Sequence, residues 1–200
     1  MEYFTTSEGI TVHLFDTLDN DSREDGKKTL ILLHGYLETM YIWYEFASRL
    51  KDRYRVIILD LPGHGLTDYC PADSNGESVN SMEFCARVVK GILDKSGIEK
   101  ACIGGHSMGG FIAQNCCILY PETFEKLIIF NSTPYKDKEE KAADRKREIE
   151  AIKNGKLETL AYISIPKMYH PDNLRKFDDK IRETMELCET HFPEGIIASI

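Results

Sequence analysis

Two hydrophobic rhythms alternate along the chain. Ile10 to Asp16 places apolar and polar residues in turn, the period of a half-buried strand. Asp19 to Lys28 is polar, carries Gly26, and predicts a hairpin loop. Thr29–Leu33, Arg55–Asp60, Lys100–Gly104 and Lys126–Phe130 are short apolar runs, as in strands covered on both faces. Between them the period lengthens. Trp43, Phe46, Ala47 and Leu50 recur at helical spacing. Val79, Met82, Ala86, Val89 and Leu93 do the same, and Gly97 stops that helix. A third helix opens at Met108 and must end before Pro121. Strands and helices in this alternation predict an α/β fold, with a mostly parallel sheet, right-handed crossovers and helices on both faces. Ligands of such sheets sit at the carboxyl ends of the strands.

The pattern changes after Pro134. Lys136 to Lys153 is densely charged, with Ile149 and Ile152 among its few large apolar residues, and predicts a mostly solvated helix. A second helix follows Pro171, with Leu174, Phe177, Ile181, Met185 and Cys188 on one face. No strand is legible in this stretch. The expected organisation is an α/β core over residues 1–135 and a helical insertion over 136–200 that covers the strand ends.

Composition narrows the class. Two hundred residues at 42% hydrophobic suffice for one substantial core. A formal charge of −8 argues against a nucleic-acid partner, which needs clustered Lys and Arg. No apolar run approaches the ~18 residues of a membrane span, and Met1–Thr5 has no signal-peptide character. Cys85, Cys102, Cys116 and Cys117 fall on predicted core elements and no C-x-x-C pair exists. Reduced thiols and a cytoplasmic location are expected. No residue set has metal-ligand spacing, and no cofactor is expected.

The chemistry concentrates at Gly105-His106-Ser107-Met108-Gly109, which fits the G-x-S-x-G nucleophile elbow. A serine on a strand-to-helix turn is held in a strained conformation and lifted above the sheet. Its flanking glycines are needed because a side chain there would clash with neighbouring elements. Two further loops end strands: His34-Gly35-Tyr36 and Asp60-Leu61-Pro62-Gly63-His64-Gly65. The Gly104-Gly105 pair lacks the spacing of a nucleotide-binding turn.

These three loops, in this order, resemble those of the α/β-hydrolase fold family over roughly residues 10–135. Residues 136–200 resemble the family's helical cap. The resemblance implies that Ser107 is a nucleophile and that the backbone N–H groups of Tyr36 and Met108 form an oxyanion hole. His34, Gly35, Gly105, His106 and Gly109 would support that site. Asp60 and His64 would hold their loop. His170 and His191, downstream of Ser107, are the remaining candidates for a base, but beside Pro171 and Pro193 a helix-start or surface role is expected of them. Asp137 lies where the fold occasionally carries an acid, but its surroundings favour a solvated helix start. Tyr162, Met168 and Tyr169 are candidates for an acyl pocket or for packing within the cap. The implied function is a serine hydrolase that cleaves an ester, thioester or C–C bond of a small acyl substrate. In the family the base and its acid follow the cap, on later strands, so this stretch reads as the N-terminal part of a longer enzyme. Self-association through the exposed edge of strand 126–130 is expected of the stretch alone. The competing reading is a non-catalytic binding or scaffold protein on the same fold.

Overall fold

A computed structural model describes residues 1–18, 26–74, 76, 78–135 and 139–200. Most of the expected 19–28 loop and the candidate Asp137 lie outside the described residues.

Six strands form one sheet: β1 (Glu2–Ser7), β2 (Ile10–Asp16), β3 (Lys28–Leu33), β4 (Tyr54–Leu59), β5 (Ala101–His106) and β6 (Phe124–Phe130). Their order is β1-β2-β4-β3-β5-β6. The four apolar runs are the four parallel strands, and they are adjacent. The first two strands run antiparallel to their neighbours. β1 is an addition to the sequence reading, joined to β2 by Glu8-Gly9. Both residues have positive φ, 49° and 81°, as a two-residue hairpin turn with right-handed twist requires.

Three helices cover this sheet: α1 (Tyr44–Leu50), α2 (Met82–Lys95) and α3 (Met108–Leu119). α2 begins one turn later than its apolar spacing implies, because the Ser81 side chain accepts the N–H of Phe84 and caps it there. Val79 is left outside and exposed. On one sheet face Ile31, Leu33, Ile57, Leu59 and Ile103 pack against α2 and α3. On the other, Leu30, Leu32, Val56 and Ile58 pack around Trp43 and Ala47. Removal of these side chains from water is the main favourable contribution to folding.

The remaining described chain is helical: α4 (Glu139–Lys153), α5 (Leu157–Ser164), α6 (Asp178–Cys188) and α7 (Pro193–Ala198). Their shared core holds Ile152, Leu157, Ala161, Ile165, Ile181, Cys188 and Ile196, and one residue from the sheet side, Leu37. α6 starts later than expected, since Leu174 and Phe177 precede it. The helices join the sheet region at Asn80. Its Nδ2 lies within hydrogen-bond reach of Pro62 O, Gly195 O and Ser199 Oγ, and its N–H donates to Ala198 O. Gly63 and Gly195 meet there so closely that a Cβ on Gly63 would lie 2.3 Å from Gly195 O.

Candidate active site

β5 ends at His106 and α3 begins at Met108, leaving Ser107 alone on the turn. Its φ of 48° and ψ of −114° fall outside the regions that a residue with a Cβ ordinarily occupies. The conformation is fixed by its surroundings. The Ser107 N–H donates to Phe130 O at 3.0 Å, and its carbonyl accepts from Gly110 N at 3.0 Å. A Cβ on Gly105 would lie 2.1 Å from Gly109 O, and one on Gly109 would lie 2.4 Å from His34 O. Two glycines thus let β5, α3 and the end of β3 approach closely enough to make the turn.

The loop after β3 abuts this serine. A Cβ on Gly35 would come within 3.2 Å of the Ser107 Cβ. The loop is secured at two points. The His34 Nε2 accepts the N–H of Leu61 at 2.9 Å, so its proton is on Nδ1, which donates to Gly35 O at 2.8 Å. Burial pushes the His34 pKa down and keeps the ring neutral. The second point is Glu38, absent from the sequence reading. Its Oε2 accepts the N–H of Gly35 at 2.6 Å and pairs with His106 Nδ1 at 2.8 Å. That hydrogen bond raises the His106 pKa against the opposing effect of burial.

The loop after β4 turns on Asp60, whose carboxylate accepts from Met40 N at 2.8 Å and Leu66 N at 3.1 Å and pairs with His13 Nδ1 at 2.8 Å. Its pKa is lowered: burial acts upward, but the bond from His13 and the main-chain donors outweigh it. His64 is fully buried in this loop, its ring beside those of His34 and His191 at 5.3 and 5.2 Å.

His170 accepts the N–H of Asp172 and starts a short helical turn. His191 differs from the surface or helix-start role expected of it. It is buried, its Nδ1 accepts the N–H of Gly65 at 2.7 Å, and its pKa is pushed down to about 4, chiefly by burial. Sequence proximity to Pro193 pointed to a surface position, whereas a partner 126 residues away decides the matter.

A cavity of about 430 Å³ opens beside Ser107, lined by Tyr36, His106, Met108 and Phe111 from the sheet side and by Met168 from the helices. Of the three pocket candidates Met168 is at the cavity. Tyr162 is half exposed, and Tyr169 packs on Phe177. α4 adds Lys141, Asp144, Arg145 and Glu148, a stripe at helical spacing. That face reads as solvated in the sequence, since charge alone cannot tell bulk water from a cavity wall. Among the described residues, no group of three or more His, Cys, Asp or Glu could hold a metal ion. No helix there is long and apolar enough to cross a membrane, and all six cysteines are free thiols.

A sequence profile described as alpha/beta hydrolase fold matches residues 28–149. The mouse protein "Epoxide hydrolase 4" is 39% identical over 108 residues, 54% of this chain and 29% of that one. A "2-hydroxy-6-oxononadienedioate/2-hydroxy-6-oxononatrienedioate hydrolase" of Paraburkholderia phymatum is 37% identical over 135 residues, 64% of this chain and 43% of that one. The chain therefore spans less than half the length of these two relatives. Among solved structures, a thermophilic esterase from Thermogutta terrifontis superposes with a TM-score of 0.85 at 24% identity, over 100% of this chain and 70% of that one. An enol-lactonase from Burkholderia xenovorans gives 0.84 at 17%, over 98% and 71%. With the profile covering more than half of its residues, the chain belongs to the α/β-hydrolase fold family.

Proposed function

We propose that the protein is a serine hydrolase of acyl compounds, with Ser107 as nucleophile and the N–H groups of Tyr36 and Met108 as oxyanion donors. The observation that carries this reading is the positive φ of Ser107 at a strand-to-helix junction beside an open cavity. Strain of this kind costs on the order of 1–3 kcal/mol and is found mainly at functional sites.

In the proposed reaction Ser107 Oγ bonds to the acyl carbon, the carbonyl π electrons move to oxygen, and the two N–H groups receive that oxyanion. Collapse expels the leaving group, and water then releases the acid from the acyl-serine. The serine itself selects among the chemistries of the relatives. A carboxylate that opens an epoxide forms an ester, which water can cleave. A serine would form an ether, which it cannot. Acyl transfer is therefore the better reading than epoxide opening. Cleavage of a C–C bond next to a carbonyl, the chemistry suggested by the Paraburkholderia relative's name, uses the same acyl-transfer steps.

Attack also needs a base. None of the six histidine rings is hydrogen-bonded to Ser107 Oγ, and the ring next to it in the chain, His106, is engaged through Nδ1 with Glu38, so the proposed proton acceptor lies outside this set. Binding and the oxyanion hole alone leave a residual acceleration of order 10³–10⁴ over water in well-studied triads. The 200-residue chain should therefore react slowly with a fluorophosphonate probe, at Ser107, and hydrolyse an activated short-chain ester slowly. Equal reaction of the wild type and Ser107→Ala would refute the proposal.

A further inference from the structure

We propose that Glu38 is a positioning residue for this site, setting the distance between the Tyr36 N–H and Ser107. The inference rests on the acyl-transfer reading above and extends it to a residue outside the three motifs. One carboxylate oxygen, Glu38 Oε2, holds two groups: the N–H of Gly35 at 2.6 Å and the Nδ1 of His106 at 2.8 Å. Gly35 immediately precedes Tyr36, and His106 immediately precedes Ser107. The carboxylate therefore ties the residue before the oxyanion donor to the residue before the nucleophile. The two backbones otherwise belong to separate elements, the loop after β3 and the end of β5 with its turn.

The tie is short and enclosed. Glu38 is 6% exposed, so water competes weakly for its oxygens. Charge-assisted hydrogen bonds are roughly twice as strong as neutral ones, and a buried N–H left without its partner is costly. Gly35 has no side chain through which the loop could be held instead, because a Cβ there would meet Glu38 Oε2 at 2.7 Å and His106 Nδ1 at 3.0 Å. Glu38 N donates in turn to Gly35 O at 3.3 Å, which closes the loop on itself. His106 sits on the cavity wall with Tyr36 and Ser107, so movement of its ring would alter the space where the acyl group lies. Glu38 is the titratable group that acts on His106 and its proton.

Chemically, the tie matters in the transition state. An oxyanion hole works only if its donors stand ~2.7–3.1 Å from where the negative oxygen will be, and misplacement by about 1 Å can cost on the order of 10²-fold. Ground-state binding of the acyl group depends much less on that distance. Loss of Glu38 should thus lower the rate at Ser107 and leave binding of the substrate nearly unchanged.

The test uses the 200-residue chain and three variants, Glu38→Gln, Glu38→Asp and Glu38→Ala. The maximal rate of Ser107 phosphonylation by a fluorophosphonate and the probe concentration at half-maximal rate are measured for each, with thermal unfolding alongside. Glu38→Gln keeps an oxygen at the same reach, able to accept from both donors, and should label within a few-fold of wild type. Glu38→Asp keeps the charge but is one methylene short, and should slow 10- to 100-fold with the half-maximal concentration unchanged. Glu38→Ala should slow at least as much. Should Glu38→Ala fail to fold, the contrast between Gln and Asp decides the matter. Glu38→Asp labelling at the wild-type rate overturns the inference, as does a loss confined to the half-maximal concentration. Absence of Ser107-dependent labelling in the wild type fails the acyl-transfer reading first, and the inference falls with it.

Discussion

The Cys188 thiol donates a hydrogen bond to the Leu37 carbonyl oxygen at 2.9 Å, across 151 residues of chain. Leu37 carries a φ of 61°, a conformation that costs a residue with a Cβ roughly 1–2 kcal/mol. Its side chain is 0% exposed and lies in the core of the helical region. The strained residue is therefore held at both ends by helices: its carbonyl by α6 and its side chain by their common core. Leu37→Ala should destabilise the fold by about 2–5 kcal/mol, and Cys188→Val, which removes the donor at similar volume, by about 1–3 kcal/mol. Cys188→Ser keeps a donor and should fall nearer to wild type. Urea denaturation midpoints measured at one pH decide the order.

Acid should weaken the fold. His34, His64 and His191 are buried, and burial lowers all three pKa values. The unfolded chain takes up protons near pH 6.5 that the folded rings refuse. Their contribution is complete above that pH and is lost as the pH falls from about 6.5 toward the His191 value of about 4. A single group contributes at most about 1.4 kcal/mol per pH unit. His106 acts in the opposite sense, since its raised pKa adds stability below pH 6.5 that disappears as the pH rises through its folded value. With three groups against one, unfolding free energy should be lower at pH 5 than at pH 7.5. His191→Gln should flatten the difference.

The elbow should tolerate no side chain at Gly105. A methyl there would face Gly109 O at 2.1 Å and Gly110 N at 2.5 Å, both main-chain atoms that cannot rotate away. Gly105→Ala should lose Ser107-directed labelling and destabilise beyond the ~0.5–3 kcal/mol of an ordinary substitution. Gly155→Ala, where nothing lies within 4 Å, is the control. Its φ of 73° still adds some strain, but the labelling rate should survive. Equal labelling of Gly105→Ala and wild type would contradict this account of the turn.

β6 is an edge strand with Leu127, Ile128 and Ile129 about 40% exposed, and Ile118 of the neighbouring α3 is 73% exposed. An apolar edge with open N–H and C=O groups is a template for another strand. We expect the 200-residue chain to self-associate through it, and Ile128→Lys to shift sedimentation toward the monomer. If the monomer fraction is the same in both chains at equal concentration, this edge is not the contact.

How much was legible follows from distance along the chain. β3, β4 and β5 announce themselves because a strand buried on both faces needs no information beyond its own residues. β6 shows the same apolar run but is mostly exposed, since it lies at the sheet edge and the expected cover on both faces is not there. The elbow announces itself because its glycines answer to clashes within a few positions. β1 does not, since it is an outer strand whose residues are mostly exposed or half-buried. The available signal was Glu8-Gly9, a two-residue turn just ahead of the alternation that begins at Ile10. Glu38 and His191 are polar residues without local pattern. Their roles come from His106 and Gly65, which only the folded chain brings near. The Lys141–Glu148 stripe was legible as a helix face, but its direction was not.

The Asn80 joint is built mainly from main-chain groups. Its amide reaches carbonyls of Pro62 and Gly195, its N–H reaches Ala198 O, and its Oδ1 accepts the N–H of Cys70. Carbonyls and amides are the same whatever residue carries them. The joint therefore reads the path of the helical segment and little of its sequence. The cavity-facing Lys141, Asp144 and Glu148 of α4 take no part in these bonds and can then be exchanged while the seam stays in register, provided Asn80, Ser199, Gly63 and Gly195 are kept. Selectivity can be rewritten on one side of this seam without redesigning the other.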